Sequence, residues 1–232
     1  MRIATPITLK RDEKFTLEDV TCVIPTWMKP ELAFRATRRL KHFYPDLPII
    51  IVDDGSPQKD FDRLRQCPAE LYRHEKNRNH GAALDTGLEH VKTTLMLSCD
   101  YDIILVREGA IEFLLDMMEN NVIAAGWMKK NKASNVTGFQ FIHPAFALWR
   151  KDIIDYEHLS FMMVVFKVGQ FITQTGQMLT AVAQTRKSPS GARYLIKGFP
   201  ASRFKKYYIH RQWRRESRGK HLWLKKMYGQ KA

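Results

Sequence analysis

The stretch from Leu47 to Pro57, LPIIIVDDGSP, restricts the fold of this chain more than any other segment. Its four consecutive β-branched residues, Ile49 to Val52, are typical of a parallel strand that is covered on both faces. The Asp-Asp-Gly-Ser-Pro that follows ends the strand abruptly, because these residue types favour turns. The segment therefore predicts a buried strand of an α/β sheet, with two carboxylates, Asp53 and Asp54, directly after it.

Other segments predict further strands in alternation with helices. The strand-like segments are VTCVIP at 20–25, AELYRHE at 69–75 and TTLMLS at 93–98. The helix-like segments are PELAFRATRRLKHFY at 30–44, which opens with a proline, and GAALDTGLEHVK at 81–92,. This alternation predicts an α/β fold with a mostly parallel central sheet flanked by helices. In such sheets ligands bind beyond the carboxyl ends of the strands.

A second acidic pair, Asp100 and Asp102, follows the last of these strands. In an extended backbone, residues two apart point to the same side, so both carboxylates would reach one hard cation. Each pair taken alone has an ordinary alternative, because aspartate is common in turns and at helix starts. Two pairs, each after a buried strand, favour a ligand site at one edge of the sheet.

Residues 21–56, TCVIPTWMKPELAFRATRRLKHFYPDLPIIIVDDGS, resemble the opening of the family 2-like glycosyltransferases of GT-A fold. NRNHGAALDTGLEHV at 77–91 is similar to that family's Asn-x-Gly segment, and LSCDYD at 97–102 falls where the family has its Asp-x-Asp motif. The resemblance implies a Rossmann-like GT-A domain over residues 1–200, followed by a basic helical extension over 201–232. It also implies a hexosyl- or pentosyltransferase that uses a nucleotide-sugar donor.

The same resemblance implies roles for single residues. Nucleotide-sugar binding would fall to Pro25, Thr26, Asp53, Asp54, Lys76, Arg78, Asn79, Gly81 and Asp100. Because an aspartate after the second strand would accept a hydrogen bond from the imide N–H of uracil or thymine, a UDP- or TDP-sugar is the expected donor. Asp100 and Asp102, joined by the late His210, would hold Mn²⁺ or Mg²⁺ against the diphosphate.

The catalytic base is not apparent from the motifs. Inverting members of the resembled family carry an acid before a late helix, here expected from about Val168, and Lys167 stands at the corresponding place. Asp155 and Glu157 are the candidate catalytic residues that would deprotonate the acceptor hydroxyl. Both have a structural alternative as charged residues on the protein surface, and the choice between inversion and retention stays open.

The chain is strongly basic, with 38 Lys and Arg against 24 Asp and Glu and a formal net charge of +14. Much of the excess lies beyond Arg203, where Trp213, Trp223 and Tyr228 alternate with basic residues. Such a tail suits an anionic membrane surface that presents a glycan or glycolipid acceptor. It equally suits DNA with hydroxylated bases as acceptor. A non-catalytic domain that binds nucleic acid or membrane is the alternative from another class.

The cellular compartment is predicted from what the sequence lacks. Three cysteines at unrelated spacings argue against a disulfide framework or a zinc site,. No apolar run reaches the length of a membrane span, and the first residues lack the apolar segment of a secretory signal. We therefore expect a cytoplasmic protein, with the inner membrane face as a place of peripheral attachment.

Overall fold

The computed structural model of the chain describes residues 14–130, 140–162, 165–166, 171–172, 179–180, 185–188 and 191–210. Its strands are β1 Val20–Thr26, β2 Ile49–Asp53, β3 Glu70–Arg73, β4 Leu95–Cys99, β5 Ile103–Leu105, β6 Val122–Lys130, β7 Gln140–Arg150, β8 Val165–Phe166, β9 Phe171–Ile172, β10 Leu195–Phe199 and β11 Tyr208–His210. Its α-helices are α1 Pro30–Phe43, α2 Gln58–Leu64, α3 His80–His90, α4 Ala110–Leu115, α5 Lys151–Tyr156 and α6 Ala201–Phe204.

Seven strands form the central sheet in the order β10-β6-β7-β4-β1-β2-β3. β1 is parallel to β2 and β4, β2 is parallel to β3, and β6 is parallel to β10. β7 is antiparallel to both of its neighbours, β4 and β6. The predicted mostly parallel α/β sheet is confirmed, with β7 as the one reversed strand of this sheet.

Alternate residues of the central strands pack on opposite faces, as the pleat requires. On β1, Cys22 and Ile24 join the core that also contains residues of α1 and α4. Val23, between them, joins the core on the other face, with residues of α3 and α5. The strand is therefore covered on both sides, which explains its continuous apolar sequence.

The topology brings the carboxyl ends of β1, β2 and β4 to one edge of the sheet, because these strands are parallel. The reversed β7 runs from this edge to the opposite one, since Phe146 pairs with Cys99 and Arg150 pairs with Leu95. Helix α5 therefore begins at the amino edge, where the amide of Lys151 donates to the carbonyl of Thr94 at 3.0 Å. This reversal decides which predicted residues can share a site.

The predicted C-terminal extension is helical only in part over its described residues. Helix α6 is followed by β11, which pairs antiparallel with β5. Residues 211–232 lie outside the described residues. The late helix expected from about Val168 was wrong at its start, because Phe171–Ile172 form the extended strand β9, which pairs antiparallel with β8. None of the helices in the described ranges has the length and apolar character that a membrane span needs.

Candidate active site

The first acidic residue of the site, Asp53, ends β2 and is completely buried. Its carboxylate accepts hydrogen bonds from the hydroxyl and the amide of Ser56 and lies 3.4 Å from Nε of Arg73. Burial raises the pKa of this carboxyl, and the bonds from Ser56 and the charge of Arg73 only partly offset the effect,. Asp53 therefore closes the turn after β2.

Asp54 connects the same turn to β3 and α3. Nδ1 of His74 and the amide of Arg78 each donate to Oδ1 of Asp54 at 2.8 Å. The other ring nitrogen of His74, Nε2, lies 2.9 Å from the hydroxyl of Thr86 on α3. Since Asp54 is also buried, direct contact of either aspartate with a nucleotide base stays a prediction.

The second acidic pair lies in a turn. β4 ends at Cys99, and the amide of Ile103 donates to the carbonyl of Asp100 at 2.9 Å, so residues 100–103 do not continue the strand,. The extended backbone that would point both carboxylates to the same side is not found, because residues 100–103 form a turn that leads into β5. Asp100 is partly exposed and Asp102 is 7% exposed. Burial of the Tyr101 hydroxyl, together with the negative charges of Asp102 and Asp100, raises its pKa to about 12.

A histidine lies against this pair. His80 is the first residue of α3, and its Nε2 donates to Oδ1 of Asp100 at 2.9 Å. Burial lowers the pKa of the imidazole, but the negative charges of Asp100, Asp54 and Asp102 raise it more, so the net shift is upward,. Because β2 and β4 are both parallel to β1, the two acidic pairs lie at the same edge of the sheet.

The Asn-x-Gly segment fixes the start of α3. Asn79 has a positive φ of 82° and caps the helix, since its side-chain oxygen accepts from the amides of Gly81 and Ala82,. A Cβ atom on Gly81 would lie 2.5 Å from the carbonyl oxygen of Phe161. Asparagine and glycine are required here by backbone geometry and close packing, and they hold His80 in place.

A second glycine joins the two loops of the site. Gly55 has φ +77°, and a Cβ atom there would lie 2.4 Å from the carbonyl carbon of Lys76. The turn after β2 therefore packs on the backbone that carries Lys76 and Arg78. Both of these basic side chains are exposed, so they are available to an anionic ligand at this edge.

Pro25 and Thr26 form the end of β1, beside Val52 and Asp53. The backbone carbonyl of Thr26 accepts from the amide of Asp54 at 2.9 Å. Its hydroxyl is buried, and Oγ1 has no hydrogen-bond partner within the described part of the protein. A buried hydroxyl in this state marks a place for a water molecule or a polar ligand atom.

The backbone of His210 lies near the second acidic pair. Its strand, β11, pairs with β5 in a register that sets His210 opposite Ile103, the residue after Asp102. The late histidine is therefore brought to the same turn as the Asp-x-Asp sequence, as its predicted role requires. Its contribution to a metal site stays a prediction.

The two candidate catalytic residues, Asp155 and Glu157, belong to a segment that starts at the amino edge of the sheet. They lie at and after the end of α5, which begins beside Thr94 at the amino end of β4. The five residues of β4 alone separate the two edges by about 16 Å. Lys151 forms a salt bridge with Asp155, and Glu157 is buried between Arg186 and the hydroxyl of Tyr194, at 2.6 and 3.0 Å. Both carboxylates are thus engaged in ion pairs or hydrogen bonds, and a catalytic role for either stays a prediction.

Within the described ranges, no group of three or more His, Cys, Asp or Glu side chains is arranged to hold a metal ion. Asp100 and Asp102 supply a pair of carboxylates. Mg²⁺ is commonly bound by one or two carboxylates together with substrate phosphates. The oxygen donors of this pair therefore fit a Mg²⁺ or Mn²⁺ ion that is shared with a diphosphate.

A model of glycosyl transferase family 2 matches residues 21–171. The chain belongs to this family. Family 2 membership confirms the GT-A resemblance seen in the motifs. The match includes both acidic pairs and the Asn-x-Gly segment, and it ends before α6 and β11.

A solved structure shows the same fold. The mannosyltransferase PcManGT from Pyrobaculum calidifontis, in complex with GDP-Man and Mn²⁺, matches with a TM-score of 0.60 and 16% identity, over 88% of this chain and 59% of that chain. TarS 1-349 from S. aureus, in complex with UDP, matches with a TM-score of 0.48 and 12% identity, over 62% of this chain and 50% of that chain. The family 2 chain described here thus spans less than two thirds of either structure.

Two residues of the site were not identified from the sequence, His74 and His80. Each contacts one of the predicted acidic pairs. His80 stands at the variable position of the Asn-x-Gly segment, and His74 directly follows β3, as the acidic pairs follow β2 and β4. The sequence signal that could have identified His74 is its position directly after a strand. This position indicates a candidate site residue for histidine as well as for aspartate.

Proposed function

We propose that this family 2 member transfers a sugar from a nucleoside-diphosphate sugar to an acceptor hydroxyl with the help of a divalent cation. The observation that carries the proposal is the convergence of Asp53 and Asp54 from β2 with Asp100 and Asp102 from β4. His74 bonds to the first pair and His80 to the second, at the carboxyl edge of the sheet. Ligands of open α/β sheets bind at this edge.

Asp100 and Asp102 would hold Mn²⁺ or Mg²⁺, with His210 as a further ligand from β11. Such a cation neutralises the charge of the leaving diphosphate when the glycosidic bond breaks. The complex of the structurally similar mannosyltransferase with Mn²⁺ supports a metal in this role. The turn between Asp100 and Ile103 keeps both carboxylates at the end of β4, beside the exposed edge.

The donor nucleotide would lie over the ends of β1 and β2. Pro25 and Thr26 would line its pocket, and the buried hydroxyl of Thr26 offers an unused polar atom to it. The exposed side chains of Lys76 and Arg78 would attract the diphosphate. Asp53 and Asp54 would select a pyrimidine, so UDP- and TDP-sugars are the proposed donors.

The acceptor would be a cell-surface glycan or glycolipid, reached at the inner membrane face by a cytoplasmic enzyme through its basic tail. The net charge of +14 supports an anionic environment of the acceptor,. DNA with hydroxylated bases remains the second candidate, because the same charge suits phosphates. We assign the catalytic base to neither Asp155 nor Glu157, since α5 begins at the opposite edge of the sheet.

Nucleotide titration tests the proposal. The melting temperature and the calorimetric Kd are measured with UDP, TDP, GDP and ADP, each with and without Mn²⁺. UDP or TDP should bind most tightly, Mn²⁺ should strengthen the binding, and the melting temperature should rise by mass action. Equal affinity for ADP would contradict the pyrimidine selection by Asp53 and Asp54. Absence of binding by all four nucleotides would contradict the proposed donor class.

A further inference from the structure

The contact between His80 and Asp100 links two segments that the topology brings together from different parts of the chain. Nε2 of His80, at the start of α3, donates to Oδ1 of Asp100, after the end of β4, at 2.9 Å. A carboxylate oxygen can only accept, so the imidazole nitrogen is the donor. The bond restrains one oxygen of the carboxylate that begins the Asp-x-Asp sequence.

Both partners are held by rigid backbone. Asn79 caps α3, and the close packing of Gly81 on the carbonyl of Phe161 fixes the helix start that carries His80. On the other side, the amide of Asp100 donates to the carbonyl of Ala145 on β7 at 2.8 Å, and its carbonyl accepts from Ile103. The geometry of the pair is therefore set by the fold and needs no rearrangement.

The location of the pair argues against a purely structural role. The side chain of His80 is 34% exposed and that of Asp100 is 21% exposed. Partly exposed ion pairs contribute little to stability. A bond that fixes a partly exposed carboxylate at the candidate metal site instead affects what that carboxylate can bind.

We propose that His80 is a positioning residue for the metal-binding pair Asp100 and Asp102. The Nε2–H group of His80 orients the Asp100 carboxylate by its hydrogen bond to Oδ1. The proposal rests on the proposed function, since it takes Asp100 and Asp102 as the metal ligands. Residues that hydrogen-bond to metal ligands fix the orientation of those ligands, and their loss commonly weakens metal binding by about 10–100-fold. His80 then acts through Asp100 and does not itself bind the metal.

Two substitutions at His80 distinguish the effect of its hydrogen-bond donor from the effect of its side-chain volume. His80→Phe keeps a ring of similar size without a donor, whereas His80→Gln keeps an N–H donor on a flexible chain. His42→Phe, at an exposed position near the end of α1, is the matched control for loss of a histidine. Binding of Mn²⁺ alone, and of Mn²⁺ with UDP, is measured by calorimetry and by the electron paramagnetic resonance signal of free Mn²⁺.

We expect His80→Phe to weaken Mn²⁺ binding about 10–100-fold, His80→Gln to recover most of it, and His42→Phe to bind as the parent does. The melting temperature without metal should be the same in all four proteins. Parent-like Mn²⁺ affinity in His80→Phe would overturn the positioning role. Nitrogen coupling of a directly bound imidazole in the bound Mn²⁺ spectrum, if His80→Phe removes it, would also overturn it.

Asp102→Asn in the same assay distinguishes this inference from the proposed function. If Asp102→Asn loses Mn²⁺ binding while His80→Phe keeps it, the metal site stands and the role of His80 is wrong. If Asp102→Asn binds Mn²⁺ as the parent does, or the parent binds none, the metal site is misplaced and both proposals fail.

Discussion

Gly87 of α3 lies so close to Val23 of β1 that a Cβ atom on Gly87 would come within 2.2 Å of Cγ1 of Val23. We therefore predict that Gly87→Ala destabilises the protein by about 1–3 kcal/mol, because overpacking of a core exceeds the gain in helix propensity of about 1 kcal/mol. Urea unfolding measures the change.

The double variant checks the cause. In a Val23→Ala background the obstructing methyl groups are absent, so adding Gly87→Ala should no longer destabilise and should restore part of the lost stability. If Gly87→Ala costs as much in that background as in the parent, the contact with Val23 is not the reason.

Loss of one carboxylate of the Asp-x-Asp pair should abolish metal-dependent turnover. Asp102→Asn keeps the size of a buried side chain but removes its charge, so Mn²⁺-dependent hydrolysis or transfer from a UDP-sugar should fall at least about 100-fold, while the melting temperature changes little. Chelation with EDTA should have the same effect on the parent. Asp116→Asn, at an exposed residue that pairs with Lys14, is the control. Full activity of Asp102→Asn would remove the metal assignment.

Asp155 and Glu157 should behave as structural residues. Glu157→Gln removes a buried anion that Arg186 and Tyr194 both contact, and should destabilise by about 1–3 kcal/mol. Asp155→Asn, in a more exposed pair with Lys151, should stay within about 0.5 kcal/mol of the parent. Both variants should keep the parental kcat below their melting temperatures. A tenfold loss of kcat in either folded variant would restore that residue as the catalytic base.

The three cysteines should be unreactive in the folded protein. All are buried, and burial raises the pKa of Cys67 to about 11. At pH 8 only about 0.1% of such a thiol is the reactive thiolate. A thiol reagent should therefore modify the native protein slowly and modify three thiols rapidly in denaturant. Rapid modification of one thiol without denaturant would contradict the burial of that residue.

Charge in the basic tail should govern binding to anionic surfaces and leave donor binding unchanged. Replacing Arg211, Arg214, Arg215 and Arg218 by Gln should weaken binding to anionic liposomes or to duplex DNA, and parental binding should fall steeply with salt. Liposome binding without DNA binding would favour a membrane glycan, and the reverse would favour DNA. If the variant binds both surfaces as the parent does, the proposed role of the tail is wrong.

The fold was predictable because its information is local. Strand β2 begins with a continuous apolar run, Ile49 to Val52, and α1 begins at Pro30 as the sequence indicates. The pairing of β7 between β4 and β6 was not predictable, because strand direction depends on contacts between residues far apart in the chain. Because of that reversal, α5, which contains Asp155 and precedes Glu157, begins at the amino edge of the sheet, and local sequence patterns do not reveal this.

The site was predictable at its acidic residues and less so at their partners. The sequence indicates the four acidic residues of the site, Asp53, Asp54, Asp100 and Asp102, because each pair follows a buried strand. Burying a carboxylate there costs free energy unless a partner or ligand compensates its charge. His74 and His80 lie in polar segments, where a histidine is ordinary and gives no sequence signal of a functional site. Their significance depends on hydrogen bonds across the sheet, which only the folded chain reveals.

The pairing of β5 with β11 joins residues 103–105 to residues 208–210, about 100 positions later in the chain,. The turn that holds Asp100 and Asp102 therefore gains its neighbouring strand late in synthesis. At a translation rate of about 5–20 residues per second, the interval is about 5–20 seconds. During that time β1 to β4 have already been made, whereas β5 lacks the strand that pairs with it. The surroundings of the candidate metal-binding pair are thus completed only when β11 has been made.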